Sequence, residues 1–424
     1  MIQIMKFGQV PEEKIFARVV PEVDVEAVVG QIIGDVRKGK DRAVIEYTRR
    51  FDRVDLRSLE VSREEIDRAK EKVSPEFLEI LEKAARNIRE YHRMQVNTGF
   101  RMEKDGIILG QKVTPIERVG IYVPGGTAAY PSTVLMDTIP AKIAGCRQIV
   151  MVTPPGKDGS VNPAILAAAD VAGVDRIFKV GGAQAVAALA YGTETIPQVD
   201  KIAGPGNAFV AEAKKQVFGR VAIDMIAGPS EILILADGKS NPRHVAADML
   251  SQAEHDKLAS AVLVTDDAGL AEAVQAELEV QIPLLPRAAI ARHSIDTNGK
   301  IIVADDLEEA IAVANRLAPE HLELMVDDPF AYLDRIENAG SVFMGRNCPE
   351  ALGDYFAGPN HTLPTSGTAR FSSALSVDDF VKKSQYTYYT REALASVARD
   401  VACFARQEGL EAHARSALIR TEDV

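Results

Sequence analysis

The sequence contains few cysteines. Three occur in 424 residues, at Cys146, Cys348 and Cys403, and no two of them form a Cys-x-x-Cys pair. This spacing excludes a disulfide framework and a cysteine-rich zinc knuckle. Any metal in this chain would therefore be bound by histidine, carboxylate or amide groups.

An excess of basic residues is also missing. The chain has 49 lysines and arginines against 61 aspartates and glutamates, a formal net charge of −12. This balance disfavours binding to nucleic acid or to an anionic membrane surface. We therefore expect no nucleic-acid partner and no membrane partner.

Long apolar runs are absent as well. The longest stretch without a charged residue, Val119–Met136, spans 18 residues but contains three glycines and two prolines, so it cannot be a bilayer helix. The first 20 residues mix charged and apolar side chains and lack the continuous apolar core of a signal peptide. The sequence thus predicts a cytoplasmic protein.

The length and the hydrophobic pattern predict a multi-domain α/β protein. A chain of 424 residues, 46% of them hydrophobic, is long enough for two to four domains. Apolar residues at helical spacing predict a helix from Val25 to Val36, and Ser74 and Pro75 predict the start of another. A hairpin with Asp105-Gly106 at its turn follows.

From Val119 to about Met344, strands and helices alternate, which is typical of a parallel sheet covered by crossover helices on both faces. One predicted helix spans Pro163–Ala172. The region 347–368 loses this periodicity and is predicted to be a long, functional loop. The tail from Tyr389 to Leu418 is predicted to be helical.

Glycine-rich turns follow three of the predicted strands, at 124–126, 181–182 and 204–207. Such turns allow the backbone to approach an anionic ligand, but none of them contains the G-x-G-x-x-G fingerprint of a dinucleotide site. Each could equally be a tight connection between strand and helix. The glycines alone do not decide between these interpretations.

Several polar groups have spacings that suit chemistry. Gln252 and His255 are three residues apart, on one face of a predicted helix, and could share a metal. Glu320 and His321 are adjacent and could divide general-base work. His361 lies in the predicted loop, shortly after Asp354. Taken singly, the first two pairs could also be ordinary surface groups.

Together, these segments resemble one family over nearly the whole chain, the histidinol dehydrogenases. The resemblance lies in eight ordered segments: Arg118–Gly126, Val180–Val186, Lys201–Val210, Asp224–Glu231, Leu250–His255, Leu317–Leu322, Gly353–Thr365 and Glu408–His413. It implies a zinc-dependent, four-electron oxidation of L-histidinol to L-histidine through L-histidinaldehyde, the last step of histidine biosynthesis, with two NAD. A zinc- and NAD-dependent dehydrogenase of another polyol or amino alcohol is the alternative. A catalytically silent protein that kept the fold is a third possibility.

The resemblance also implies roles for individual residues. His321 would be the base for the alcohol and the hydrated aldehyde, and Glu320 would activate the water. One Zn²⁺ per subunit, or manganese in its place, would be held by Gln252, His255, Asp354 and His413. NAD would contact Tyr122, Gln184 and Asn207. Substrate would contact a larger set, namely Ser230, Gln252, His255, His321, Asp354, His361, Glu408 and His413.

The implied architecture is an α/β fold of two incomplete Rossmann-like domains, similar to aldehyde dehydrogenases, in an intertwined homodimer. The predicted parts are an N-terminal arm (1–20), a first Rossmann-like domain (21–121 plus 230–375), a second (122–229) and a C-terminal helical segment (376–424). This last segment would reach the partner subunit and bring Glu408 and His413 to its site.

Overall fold

A computed structural model of the chain describes residues 1–18, 24–125 and 129–422. The described residues form fourteen strands: β1 Gln3–Lys6, β2 Phe100–Lys104, β3 Ile107–Pro115, β4 Arg118–Tyr122, β5 Gln148–Thr153, β6 Arg176–Lys179, β7 Lys201–Ala203, β8 Ala222–Ile223, β9 Glu231–Ala236, β10 Ser260–Thr265, β11 Lys300–Val303, β12 His321–Met325, β13 Ser341–Met344 and β14 Val381–Tyr389.

Sixteen α-helices lie in the same described ranges: α1 Glu12–Ile15, α2 Glu26–Asp52, α3 Arg63–Glu71, α4 Pro75–Arg93, α5 Pro131–Ala144, α6 Pro163–Ala172, α7 Gly182–Tyr191, α8 Ala208–Val217, α9 Pro242–Ala253, α10 Ala268–Gln281, α11 Ala288–Asn298, α12 Leu307–Leu317, α13 Phe330–Leu333, α14 Glu350–Tyr355, α15 Arg391–Gln407 and α16 Glu411–Leu418. Not one of these helices combines the length and the apolar character needed to cross a bilayer.

The chain divides into two units. The larger comprises Met1–Gln95 and Glu117–Phe380, and the smaller comprises Val96–Ile116 and Val381–Val424. The larger unit contains two parallel sheets with strand orders β1-β11-β10-β9-β12-β13 and β6-β5-β4-β7-β8. The predicted α/β class with parallel sheets is therefore confirmed.

The two parallel sheets share one topology. In each, the first two crossovers build the sheet outward on one side of the first strand, and the next two build it on the other side. This is the 3-2-1-4-5 arrangement of a Rossmann-like half. The six-stranded sheet gains β1, which pairs in parallel with β11, so part of the predicted N-terminal arm is a sheet strand.

Local sequence signals explain where several elements begin. Ser74 caps α4 by accepting a hydrogen bond from the amide of Phe77, and Pro75 occupies the first turn, as predicted. Helix α2 buries Val29, Ile32 and neighbouring residues against the five-stranded sheet. Val28, assigned by the periodicity to the same face, is exposed. Helix α2, which the prediction assigns to the first domain, thus packs against the sheet assigned to the second domain. The domain boundaries themselves stay a prediction.

The smaller unit is a three-stranded antiparallel sheet with two helices. The predicted hairpin joins β2 to β3 through Asp105 and Gly106, both at positive φ, as a tight two-residue turn requires. Strand β14 pairs with β3 on its other side. The C-terminal segment is therefore not helical throughout, because nine of its residues form β14 before α15 and α16 begin.

The region predicted as a long loop also contains a helix. Glu350–Tyr355 forms α14, six residues long, which is too short to produce a readable periodicity. Gly353 lies within it because the ring of Phe343 is so close that a Cβ would come within 2.5 Å of it. The prediction of a loop over 347–368 is wrong for these six residues.

Candidate active site

His321 is the first residue of β12 and is buried. Along this strand the alternate residues Leu322 and Leu324 belong to the apolar core on the other face of the sheet. Because side chains alternate across a strand, His321 and Glu323 face the side where Met325 meets the core of α9. The sequence of β12 thus places two polar side chains on one face of a buried strand.

The ring of His321 is held by the backbone of the neighbouring strand. Its Nδ1 lies 3.0 Å from the main-chain oxygen of Glu231. A carbonyl oxygen only accepts hydrogen bonds, so Nδ1 donates and the lone pair of the neutral ring is on Nε2. Nε2 is buried and has no hydrogen-bond partner among the described residues. This atom is therefore available to accept a proton.

Glu320 is bound to the same residue of β9. Its Oε2 accepts a hydrogen bond of 2.8 Å from the amide of Glu231. Burial raises the pKa of Glu320 well above its ordinary value, and the nearby charges of Glu231 and Glu350 raise it further. A carboxylate with a raised pKa in a buried site is suited to take a proton from water.

Two more carboxylates from α14 lie opposite the free nitrogen of His321. Glu350 Oε1 is 3.8 Å and Asp354 Oδ1 is 3.9 Å from Nε2. The two acids are four residues apart and so lie on one face of the helix. Ligand atoms of His321, Glu350 and Asp354 all lie within 4.8 Å of one another, a grouping that could hold a metal ion.

A second layer of acids lies behind Glu350. Its amide donates to Glu323 Oε1 at 2.7 Å, and Ser251 donates its hydroxyl to Glu350 Oε2 at 2.9 Å. Burial, followed by the charge of Asp248, raises the pKa of Glu323 to about 9. Burial also raises the pKa of Asp248 to about 6. The sequence analysis missed Glu350, Glu323 and Asp248, although the alternation in β12 and the spacing of Glu350 from Asp354 are visible in the sequence.

Gln252 and His255 lie at the end of α9, which packs against α14, and the charges of Glu350 and His321 act on His255. Gln252 is in the last turn of α9, but His255 lies two residues beyond the end of the helix, so the two do not share one helical face as predicted. Gln252 Oε1 is buried and without a hydrogen-bond partner in the described part of the chain. Burial lowers the pKa of His255, and the charge of Glu350 opposes that shift.

These groups fit a zinc ion. Gln252 offers a buried oxygen that would otherwise be unsatisfied, His255 offers a neutral imidazole, and Asp354 offers a carboxylate oxygen. Burial raises the pKa of Asp354 well above its ordinary value, and Glu350 adds to that shift. A cation would offset the repulsion between such carboxylates.

His361 lies on the same side of the site. Its Nδ1 is 3.1 Å from the main-chain oxygen of Asp354, and its Nε2 is 3.3 Å from the hydroxyl of Thr133. Burial lowers the pKa of His361 to about 4, and the charge of His321 acts in the same direction. The ring is therefore neutral near pH 7, and both of its nitrogens already have partners within the chain.

The remaining predicted substrate contacts are divided between the two units. Ser230 immediately precedes Glu231, and its main-chain oxygen accepts a hydrogen bond from the amide of Ser260. Glu408 and His413 belong to the smaller unit, where both are exposed, at the end of α15 and in α16. The other predicted site residues, namely Ser230, Gln252, His255, Glu320, His321, Asp354 and His361, all belong to the larger unit. Within it, successive side-chain contacts join Glu320 to His321, His321 to Asp354 and Asp354 to His361.

The predicted NAD contacts lie at the carboxyl ends of the five-stranded sheet. Tyr122 ends β4, and its hydroxyl accepts a hydrogen bond of 3.0 Å from the amide of Gly182, the first residue of α7. Burial raises the pKa of Tyr122 to about 12, so its hydroxyl keeps a proton to donate. Gln184 lies in the first turn of α7, and its Oε1 is buried and unpaired within the described ranges. These groups fit a dinucleotide, because they present polar atoms where Rossmann-like sheets bind one.

Asn207 is the last residue of the third glycine-rich turn and the N-cap of α8. Its side-chain oxygen accepts from the amides of Phe209 and Val210, at 3.1 and 3.2 Å. The amides of Phe209 and Val210, in the first turn of α8, are therefore already satisfied by the chain itself. A ligand could still bind the side-chain NH₂ group of Asn207, which is exposed.

The first two glycine-rich turns have a packing reason. A Cβ on Gly125 or on Gly181 would lie 2.6 Å from the ring of Pro154, which follows β5. Glycine is needed at both positions because two neighbouring turns contact one proline. Gly126, the last residue of the first cluster, lies outside the described residues.

Comparisons with known proteins agree on one family. The family model for histidinol dehydrogenase matches residues 18–421. A histidinol dehydrogenase from Syntrophotalea carbinolica is 58% identical over 406 residues, which cover 95% of this chain and 94% of the relative. One from Clostridium acetobutylicum is 53% identical over 426 residues and covers 99% of each chain.

Solved structures give the same picture. The crystal structure of histidinol dehydrogenase from Elizabethkingia anophelis matches with a TM-score of 0.95 at 40% identity, covering 99% of this chain and 98% of the other. An acetylating aldehyde dehydrogenase from Geobacillus thermoglucosidasius matches with a TM-score of 0.50 at 14% identity, over 86% and 98% of the two chains. This second likeness concerns the fold alone.

Proposed function

Since the chain belongs to the histidinol dehydrogenase family and is an oxidoreductase of histidine biosynthesis, we propose that it oxidises L-histidinol to L-histidine through L-histidinaldehyde. The reaction is a zinc-dependent, four-electron oxidation that uses two NAD. The geometry around His321 carries this proposal, because one buried residue presents an oriented, unpaired basic nitrogen beside a carboxylate that can activate water.

His321 removes the hydroxyl proton of the alcohol at Nε2. Loss of this proton places the electron pair on oxygen that expels the hydride from the adjacent carbon. Nδ1 stays bonded to the main-chain oxygen of Glu231, so the ring keeps its orientation and stabilises the charge that it gains. The same nitrogen acts again when the hydrated aldehyde loses its second hydride.

Glu320 activates the water that attacks the aldehyde. Its carboxylate is fixed by the amide of Glu231 through Oε2, which leaves Oε1 to take a proton from water. The side chain is buried, so the water meets the aldehyde in a site of low dielectric constant, where proton transfer to a carboxylate of raised pKa is favoured. The protonated Nε2 of His321 returns its proton to the former carbonyl oxygen, so the product of this step is the neutral hydrated aldehyde and His321 is again free to act as a base.

One Zn²⁺ per subunit is held by Gln252, His255 and Asp354, with His413 as the fourth ligand. Bound zinc would supply a fixed positive charge that orients the nitrogen donors of the substrate. Within the larger unit, the unpaired Oε1 of Gln252 supports this ligand set. The alternative grouping of His321, Glu350 and Asp354 would occupy Nε2, which the base needs.

NAD contacts Tyr122, Gln184 and Asn207. Tyr122 donates its hydroxyl hydrogen, while the amide of Gly182 holds the ring in place. Asn207 uses its side-chain oxygen to cap α8 and offers its NH₂ group to the cofactor. NAD, when bound, accepts the hydride that the substrate releases.

The active form is a homodimer, and we place the enzyme in the cytoplasm. Glu408 and His413 come from the second copy of the chain and complete the site, which also uses Ser230 and His361 for the substrate. Glu408 and His413 are both exposed, which supports the proposal that they contact the other copy of the chain.

The direct test supplies the purified protein with L-histidinol and NAD. We expect NADH formation that stops when zinc is removed by a chelator and returns when zinc is restored. Oxidation of another amino alcohol, but not of L-histidinol, would contradict the substrate assignment. Full activity after complete removal of metal would contradict the role of zinc.

A further inference from the structure

Three consecutive residues, Asn360, His361 and Thr362, bind α5, a helix that packs on the five-stranded sheet. Asn360 donates its side-chain NH₂ to the main-chain oxygen of Met136 at 2.7 Å, and Thr362 donates its hydroxyl to Asp137 Oδ1 at 2.7 Å. His361, between them, meets Thr133. We call these three pairs the α5–loop contact.

The acceptor on Met136 exists because of a proline. In a regular helix the oxygen of Met136 would accept from the amide of residue 140, but that residue is Pro140, which has no N–H. A proline inside a helix also pushes away the carbonyl four residues earlier. The oxygen of Met136 is therefore free to accept from Asn360, and Pro140 creates the binding point.

Asp137 joins the contact to the turn that carries Asn207. Its Oδ2 would lie 3.0 Å from a Cβ placed on Gly204. Gly204 is itself fixed, because its amide donates to Asp224 at 2.8 Å and its oxygen accepts from Lys214 at 2.9 Å. Asp137 is fully buried and is the only acid of α5, and a buried acid needs a specific reason.

The α5–loop contact also includes His361, which lies beside the proposed zinc ligand Asp354. The ring of His361 binds Thr133 through Nε2 and the main-chain oxygen of Asp354 through Nδ1. A displacement of the 360–362 loop would therefore move both His361 and the backbone that carries the Asp354 carboxylate.

We propose that Asp137 and Pro140 are positioning residues: through the α5–loop contact they hold His361 and Asp354 at the geometry that binds substrate. This role rests on the proposed function and extends it to residues that touch neither substrate nor cofactor. The contact also links the sheet that carries the predicted NAD residues to the sheet that carries the metal site.

The first test is Pro140→Ala. Alanine restores the amide and removes the ring that pushes the Met136 carbonyl outward, so this carbonyl turns back into the helix and away from Asn360, while the helix itself is strengthened. We expect an unchanged or higher melting temperature together with a KM for L-histidinol raised about fivefold to tenfold. A higher melting temperature with an unchanged KM would mean that Pro140 has only a structural role.

The second test is a matched pair of isosteric substitutions. Thr362→Val removes the hydroxyl that binds Asp137 and should raise the KM similarly, whereas Thr362→Ser should restore it. Thr138→Val removes a buried hydroxyl on the same helix that has no partner in the described residues, and should leave the KM unchanged. Equal KM values in Thr362→Val and Thr138→Val would overturn the proposal.

A third measurement does not depend on turnover. Hydrogen exchange of the peptide that covers 355–365 should be faster in Pro140→Ala and Thr362→Val than in the wild type and in Thr138→Val. If the wild type forms no NADH from L-histidinol, the proposed function fails. If it does, and these variants match it in both KM and exchange, the positioning role alone fails.

Discussion

Glu231 binds His321 through its main-chain oxygen, at 3.0 Å from the ring Nδ1. The amide of the same residue binds the carboxylate of Glu320 at 2.8 Å. One residue at the start of β9 thus fixes both groups that we assign to proton transfer. Because both bonds use the backbone, this arrangement depends on the pairing of β9 with β12 and not on the side chain of Glu231.

Glu320→Gln should separate the two half-reactions. The amide side chain can still accept from the amide of Glu231, so the fold and the orientation are kept, but it cannot take a proton from water. We expect alcohol oxidation to continue and oxidation of the aldehyde to slow by about a hundredfold to ten-thousandfold. Rapid mixing with either L-histidinol or L-histidinaldehyde measures each step.

His321→Gln is the matched control for that experiment. It removes the base that we assign to both hydride transfers, so both steps should slow together. Wild-type aldehyde oxidation in Glu320→Gln would contradict the role given to Glu320.

Zinc content distinguishes two overlapping groups of ligands. Asp354 belongs both to the predicted set with Gln252 and His255 and to the cluster with His321 and Glu350. We expect His255→Asn to weaken zinc binding by about a hundredfold or more, and Glu350→Gln to weaken it by no more than about tenfold. Metal analysis after dialysis at fixed free zinc provides the measurement.

If Glu350→Gln weakened zinc binding more than His255→Asn did, the metal would instead be assigned to the cluster of His321, Glu350 and Asp354. The proposed base would then be a ligand, and the roles in the first half-reaction would have to be reassigned.

Asp137→Asn should change how stability depends on pH. Burial raises the pKa of Asp137 from 3.8 to about 8 in the folded chain; the hydrogen bond from Thr362 lowers this pKa, the charge of Asp224 raises it and that of Lys214 lowers it. Between these two values the unfolded chain has released the proton that the folded chain still holds, so folded stability falls as pH rises. Asparagine cannot ionise and can still accept from Thr362.

The variant should therefore gain stability relative to the wild type as pH rises from 5 to 8, by about 1 to 3 kcal/mol. Urea unfolding of both proteins at the two pH values measures the difference. A difference that does not grow with pH would show that Asp137 is ionised in the folded protein throughout this range.

Gly181→Ala tests the packing of the glycine-rich turns. The new Cβ would lie 2.6 Å from the ring of Pro154, which cannot move aside easily. We expect a loss of about 1 to 3 kcal/mol in the free energy of unfolding. Gly34→Ala is the control, because Gly34 lies in α2 with nothing within 4 Å of a Cβ, and it should gain about 0.5 to 1 kcal/mol. Equal effects of the two substitutions would contradict the packing explanation.

Elements with strong local signals could be predicted from the sequence. The predicted bounds of α6 are those observed, because Asn162 caps the helix and Pro163 begins it. Five strands of the two parallel sheets, β4, β5, β6, β9 and β10, were readable as short apolar runs, which is typical of strands buried on both faces. Their shared order was not readable, since pairing between strands is not a local property.

Site residues divide along the same line. The Gln252, Glu320, His321 and Asp354 segments could be found by their resemblance to a family. The spacing of Glu350 from Asp354 was visible, but the roles of Glu350 and Asp137 were not, because they depend on neighbours distant in sequence, such as Ser251 for Glu350 and Thr362 for Asp137. Strand β14 was missed for a similar reason, since its partner β3 lies more than 260 residues earlier.

The yield of NADH per L-histidinol consumed tests the central proposal most directly. Two hydride transfers at one site predict about two NADH for each L-histidinol, with L-histidine as the product and no free aldehyde. A yield of about one NADH, with L-histidinaldehyde released, would contradict the four-electron oxidation and the role of Glu320 in its second half.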